Sequence, residues 1–158
     1  MSRRGGIRIK KIEPDPIYKN RLITKLINRS MKDGKKSVAQ KEVYQALEII
    51  KGKDQDPMQI FSKALDNIRP TMEVRPRRVG GAAYQVPMPV KGVRRDSLAV
   101  RWLIAAARSR SNSEYHTFAE KLAVELMDAA NGEGVAVKKR ADMERMAEAN
   151  RAFAHFRW

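Results

Sequence analysis

The 158-residue chain contains no cysteine. That excludes a disulfide framework, a thiol nucleophile and any metal site built on thiolates, and it fits a reducing compartment. Histidine is scarce too. His116 and His155 are the only two, and they lie far apart with no carboxylate pattern around them. A metal or catalytic centre needs convergent ligands, so no metal and no cofactor are expected. Gly80-Gly81 is not followed by the Gly-Lys-Ser/Thr of a phosphate loop. Nothing pairs a nucleophile with a base, so the chain does not read as an enzyme. Long apolar runs are missing: the longest, Trp102 to Ala107, is too short to span a bilayer. The opening MSRRGGIRIKK is basic but lacks the apolar segment of a signal peptide. No membrane partner is therefore expected from a spanning segment.

Acidic residues are thinly and unevenly spread. The formal net charge is +15. Met1–Lys11 contributes +5 with no acid at all, and Val74–Ser113 contributes +8 with Asp96 as its single acid. Glu114–Trp158 is nearly balanced at −1. A surface charged only for solubility would be more mixed. This one is built to meet a polyanion, either RNA, DNA or an anionic surface. With 42% hydrophobic residues the chain has enough apolar mass for one folded domain with a real core. We read residues 1–12 as a flexible basic arm and 13–158 as a single domain.

The hairpin is the most informative stretch. In VRPRRVGGAAYQVPMPV, Val74 to Val90, a Gly-Gly pair separates two runs of strand character. If the glycines form the turn, Val79 pairs with Ala82, Arg77 with Tyr84 and Arg75 with Val86. Arg75, Arg77 and Tyr84 then share a face and Arg78 points the other way. Pro76, Pro87 and Pro89 argue against a strand inside a sheet and suit a two-stranded ribbon, placed at about 73–90. A lone ribbon is marginally stable, so its base should lie on the body and its tip project. Arginine donates to phosphate and tyrosine offers a stacking face, so this arm fits a nucleic acid.

The rest reads as about six helices, making the fold mainly α with one protruding β-hairpin between the third and fourth helices. Asp15-Pro16 is expected to open the first helix and Asp33-Gly34 to end it, with Leu22, Ile23, Leu26 and Ile27 on its apolar face. The second starts at Lys35-Lys36 and turns Val38, Ala39, Val43, Ala46, Leu47 and Ile50 to the core. The third runs from Asp56-Pro57 to Arg69-Pro70. The fourth, about Val93 to Ser109, is apolar nearly all round and should be central. Its exception is a seam of Arg94, Arg101 and Arg108, with Ser97 and Ala105 on the same side and Arg95 flanking it. A spacing of seven returns to within about 20° on a helix, so the three align. Such a stripe must face water or a partner, and beside a basic hairpin it points to phosphate. The fifth helix, with Ser113 as its candidate cap, buries Tyr115, Phe118 and Leu122 and puts Glu114, Lys121, Glu125 and Asp128 outside. The last starts near Gly134 and carries Lys138, Lys139 and Arg140. The aromatics of the tail AFAHFRW are expected to pin the terminus to the core.

Four segments together resemble the bacterial small-subunit ribosomal protein seven family. They are MKDGKKSVAQ (Met31–Gln40), RPTMEVRPRRVGGAAYQVPMPV (Arg69–Val90), RRDSLAVRWLIAAARSR (Arg94–Arg110) and AVKKRADMERMAEANRAFAHFRW (Ala136–Trp158). The resemblance implies a helical bundle with a protruding hairpin, cytoplasmic and in the ribosome. It also implies a primary ribosomal RNA-binding role at the 3′ major domain, with nucleation of subunit-head assembly. Exit-site transfer RNA, the messenger path and neighbouring head and platform proteins would lie nearby. The family pattern places RNA contacts at Arg3, Arg4, Lys10 and Lys11 of the arm, at Lys35 and Lys36, at Arg75, Arg77 and Arg78, and at Arg94, Arg95, Arg101 and Arg108. Tyr84, Arg110, Lys138, Lys139 and Arg140 complete the expected set. Two departures stand out: Gly92 occupies a position where the family commonly has proline, which should loosen the ribbon-to-helix joint, and the loop from Ser109 to Thr117 looks a few residues long. On local features alone a DNA-bending architectural protein with basic ribbon arms remains open, as does a basic protein–protein adaptor.

Overall fold

A computed structural model describes residues 12–53 and 55–156. The expected contacts at Arg3, Arg4, Lys10 and Lys11, and the tail residue Trp158, lie outside the described residues. Among the described residues six α-helices run in the order α1 (Arg21–Ser30), α2 (Lys36–Lys51), α3 (Pro57–Ile68), α4 (Gly92–Ser109), α5 (Phe118–Ala130) and α6 (Val135–Ala149). An antiparallel hairpin, β1 (Met72–Val79) and β2 (Ala82–Pro89), stands between α3 and α4, and a 3-10 helix (Arg151–Phe156) follows α6. This is the expected mainly helical architecture.

The core is one continuous cluster. Ile23, Leu26, Val43, Leu47, Phe61, Leu65, Leu103, Leu122 and Leu126 are essentially inaccessible. Each comes from the apolar stripe of its helix, recurring at three- and four-residue spacing. The helix α4, expected to be central, packs against α1, α3, α5 and α6, but α5 is at least as central, packing against α2, α3, α4 and α6. No helix among the described residues is long and apolar enough to cross a membrane.

The hairpin register is the one the glycine pair dictates. Val79 faces Ala82, Arg77 faces Tyr84 and Arg75 faces Val86. Gly80 and Gly81 have φ of +58° and +90°. Positive φ at both central residues defines the tight turn that suits strand twist. The base is anchored, with Val86 and Val90 buried, while the tip from Gly80 to Ala83 is exposed.

Several expected boundaries and faces are corrected. The first helix does not open at Asp15. Its carboxylate accepts hydrogen bonds from the backbone N–H groups of Ile17 and Tyr18 and caps only a turn. It also accepts from the Tyr44 hydroxyl at 2.8 Å, which ties that turn to α2. Lys19 then takes a left-handed φ of +51°, and Asn20 becomes the cap, accepting from Leu22 N. The helix stops at Ser30, before Asp33-Gly34. The cap of α5 is Thr117 rather than Ser113: its hydroxyl accepts from Glu120 N while Glu120 accepts from the Thr117 backbone. That reciprocal capping box satisfies two otherwise unpaired donors.

The outer face expected for α5 is overturned at Lys121 and Glu125, while Glu114 is exposed as expected. Glu125 is fully buried and Lys121 nearly so. Glu125 accepts from Arg110 at 2.6 and 2.8 Å through one oxygen and from Ala136 N at 3.0 Å through the other. It thereby joins the 110–117 loop, α5 and the start of α6. A buried carboxylate persists only when so satisfied. Val38, expected in the core, is 55% exposed. The tail aromatics pin the terminus to the hairpin rather than to the core: Phe153 and Phe156 lie 5.3 and 5.2 Å, ring centre to ring centre, from Tyr84.

Candidate nucleic-acid interface

The arginine seam is on the surface. Arg94, Arg101 and Arg108 are exposed, as are Ser97 and Ala105 between them, while the remaining middle of α4 is buried. A helix with core on most sides leaves one stripe for charge, and the seven-residue spacing fills that stripe with guanidinium groups.

Beside this stripe runs α1. Lys25, Asn28 and Arg29 of α1 and Val93 and Ser97 of α4 line a shallow cleft between the two helices. Arg21, Lys25 and Arg29 recur every four residues, so α1 carries a basic stripe of its own. Sequence reasoning missed it, attending to the apolar face of that helix; the i, i+4 spacing of cations was the signal. Arg108 closes the end of the groove by donating to the Ser30 carbonyl at 2.8 Å. Lys32 and Lys35 of the α1–α2 loop line a cavity with Arg108. Loop, α1 and α4 therefore form one basic surface. Lys35 and Lys36 are exposed, and no acidic residue or side-chain cap stands in the first turn of α2. The positive end of that helix adds to the field of the lysines.

Individual cations differ in how free they are. Arg101 makes no hydrogen bond or ion pair with the described residues. Arg94 donates to both oxygens of Glu73 at 2.8 Å, and Arg75 bonds the same carboxylate. Glu73 is 5% exposed at the hairpin base. Burial pushes its carboxyl up, but the hydrogen bonds from Arg94 and Arg75 outweigh this and hold it below the usual carboxylate range. Half of the Arg94 side chain stays accessible. Glu73 thus fixes two arginines where hairpin and α4 meet without hiding them.

A second junction joins α4 to α6. Glu144 accepts from the backbone and hydroxyl of Thr71 at 2.9 and 2.7 Å. Arg140 lies 3.7 Å away, and the charge of Arg95 acts on the same carboxyl. Burial raises that carboxyl, while the Thr71 hydrogen bonds and the two arginines bring it below its ordinary value. Arg95 and Arg140 are partly buried here, each with a sheltered Nε that has no hydrogen-bond partner. Lys138 and Lys139 are exposed, on the helix that packs beside the hairpin rather than on the α1–α4 groove.

Arg110 is turned inward. Its side chain is 17% accessible and is held by Glu125 and Asp128. Burial opposes its charge, but the two carboxylates outweigh that and raise its affinity for the proton. Of the expected contacts it is the one most committed to the protein itself. Tyr84 is half-buried with its ring against the tail aromatics, so its stacking capacity is already partly used. Arg78 is exposed near the tip, and Arg75 and Arg77 are partly covered. Gly92 has φ of +52° at the hairpin–α4 joint, a conformation closed to proline. The joint is thus shaped differently from one built on proline.

Comparison with known proteins agrees with this arrangement. Residues 2–151 match the family model described as ribosomal protein S7p/S5e. The chain is 55% identical to the small ribosomal subunit protein uS7 of Carboxydothermus hydrogenoformans, with all of both chains covered. It is 57% identical to that of Kosmotoga olearia and 55% to that of Rhodopseudomonas palustris, again over the whole of each chain. Hairpin, arginine seam and full-length similarity coincide, and the chain belongs to the ribosomal protein S7p/S5e family, as a structural, non-enzymatic constituent of the small ribosomal subunit.

Proposed function

We propose that the protein binds the 3′ major domain of small-subunit ribosomal RNA through the α1–α4 groove, and that this binding nucleates the subunit head. The observation that carries the reading is the accessible stripe of Arg94, Arg101 and Arg108 on α4, next to a cleft lined by Lys25 and Arg29 of α1. Basic residues on two neighbouring helices suit phosphate backbones that converge where RNA helices meet. Recognition there is by shape and backbone more than by base edges. The basic arm at residues 1–12 extends the same contact, and residues 13–158 act as one domain. The hairpin serves a separate purpose: its exposed tip reaches toward exit-site transfer RNA and the messenger path, with neighbouring head and platform proteins around it.

Arg101→Glu tests the groove cleanly, because Arg101 is exposed and tied to nothing among the described residues. Filter binding to the 3′ major domain RNA should weaken by about tenfold or more. The slope of log affinity against log salt should flatten by about one, because one phosphate is no longer neutralised. The melting temperature should not change. Wild-type binding should survive excess duplex DNA and unrelated folded RNA. Equal competition by every polyanion would favour the architectural DNA reading instead.

A further inference from the structure

A cavity of about 410 Å³ opens between the α1–α2 loop, the first turns of α2, the end of α4 and the start of α5. Its size falls within the range of about 300–1,000 Å³ typical of small-ligand sites. Its lining divides by chemistry. One wall is apolar: Val38, which occupies a core position in the helical pattern but stands 55% exposed, and Phe118, whose ring is half-buried. The rim is cationic, with Lys32, Lys35 and Arg108 all exposed. The Arg108 guanidinium lies 6.0 Å from the centre of the Phe118 ring, so cation and aromatic face already adjoin.

A further observation favours an anion. Lys121 lines the same cavity while only 7% exposed. Its ammonium donates to the Arg110 carbonyl at 2.7 Å and to the Asn112 side chain, both neutral, and it forms no ion pair with the described residues. A buried cation without counter-charge is stabilised by any anion that reaches it. The one carboxylate in the lining, Glu42, keeps its charge but is fixed against the start of α5, where it accepts from Ala119 N at 3.0 Å.

We propose that this cavity holds a single unstacked nucleotide of the bound RNA, with its base against Val38 and Phe118 and its phosphate at Lys32, Lys35 and Arg108. The proposal rests on the RNA-binding reading and deepens it. The basic groove takes helical backbone, and this pocket takes one nucleotide out of the stack, where an aromatic face and a cationic rim serve any base. An acidic protein segment would use the rim but leave the apolar wall without purpose.

The test is a backbone-amide NMR titration of the full chain with adenosine monophosphate, uridine monophosphate, ribose 5-phosphate and an acidic tetrapeptide. Amides of residues 37–39 and 116–119 should shift with either mononucleotide. Ribose 5-phosphate should bind at least ~5-fold more weakly, because it has no base to stack. Val38→Glu, whose fold is checked by the same spectrum, should abolish the localised shifts. Equal affinity for ribose 5-phosphate, shifts located elsewhere, or a stronger response to the peptide would each overturn the proposal. Filter binding of the same preparation to 3′ major domain RNA separates the two levels. Specific RNA binding without a nucleotide response refutes the pocket alone, whereas absence of specific RNA binding refutes the functional reading beneath it.

Discussion

Glu73 illustrates how a buried acid can serve a basic surface. Without it Arg75 and Arg94 would repel each other where the hairpin joins α4. With it they are held in place and remain half accessible. Its carboxyl is held below the ordinary value of 4.5 in the folded chain. A depressed folded value contributes stability that is present above the unfolded value and is lost as pH falls through the folded one. Glu73→Gln should therefore destabilise the protein by about 1–3 kcal/mol at neutral pH, the usual range for a charged hydrogen-bond partner removed from a sheltered site. The deficit relative to wild type should shrink as pH drops below about 4.5. Denaturant melts of both proteins between pH 3 and pH 7 check this, and a deficit independent of pH would contradict it.

Single residues are legible in the sequence only in part. A helical wheel places Lys121 and Glu125 outside by default, because charged residues are rarely buried. They lie inside because Arg110 and Asn112, from the preceding loop, fold over them. Partners supplied by a loop leave no periodic trace. Val38 fails in the opposite sense: the wheel gives its direction correctly, but no element packs there, and a cavity takes its place.

Whole elements are easier to read. The hairpin register follows from two glycines and three prolines, which leave one turn position and no interior strand. The exposed stripe of α4 follows because three arginines in a nearly all-apolar helix must share the one open side. The start of α1 is not legible. Asp15-Pro16 and Asp56-Pro57 look alike, and each aspartate accepts from the backbone N–H two residues on, but the turn after Asp15 breaks at Lys19, whose φ is +51°, and the helix restarts from Asn20. A left-handed break at a lysine leaves no local sequence signal. The tail resists local reading for a similar reason, since aromatic residues do not say which surface they cover. Their actual partner, Tyr84, makes the 3-10 helix a brace for the ribbon. Phe153→Ala combined with Phe156→Ala should accelerate amide exchange along β2 by about 5-fold or more, since each aromatic pair contributes about 0.5–1.5 kcal/mol beyond burial. Exchange in α4 and α5 should be unchanged. Equal exchange in β2 before and after the substitutions would show that the ribbon is held by its base alone.

Across the molecule as a whole, charge is separated. The α1–α4 side and the hairpin carry the arginine seam and the cations of α1, while Lys51, Lys63, Lys138 and Lys139 lie on other helices. The α2–α5 side is more mixed, with Glu48, Glu120 and Gln45 around a shallow depression. A positive field concentrated on one side orients a protein as it approaches a polyanion. The uneven charge totals along the chain already imply such a separation. They do not show that α1 supplies the second row, because its three cations are diluted among apolar neighbours in any regional sum.

The most direct measurement of the central claim is side-chain footprinting of lysines and arginines, free and bound to 3′ major domain RNA. Lys25, Arg29, Lys32, Lys35, Arg101 and Arg108 should be protected, with Lys51 and Lys63, exposed on α2 and α3, reacting equally in both states. Protection of Lys51 and Lys63 while Arg101 and Arg29 stay reactive would contradict it, and would place the RNA on the opposite side of the bundle.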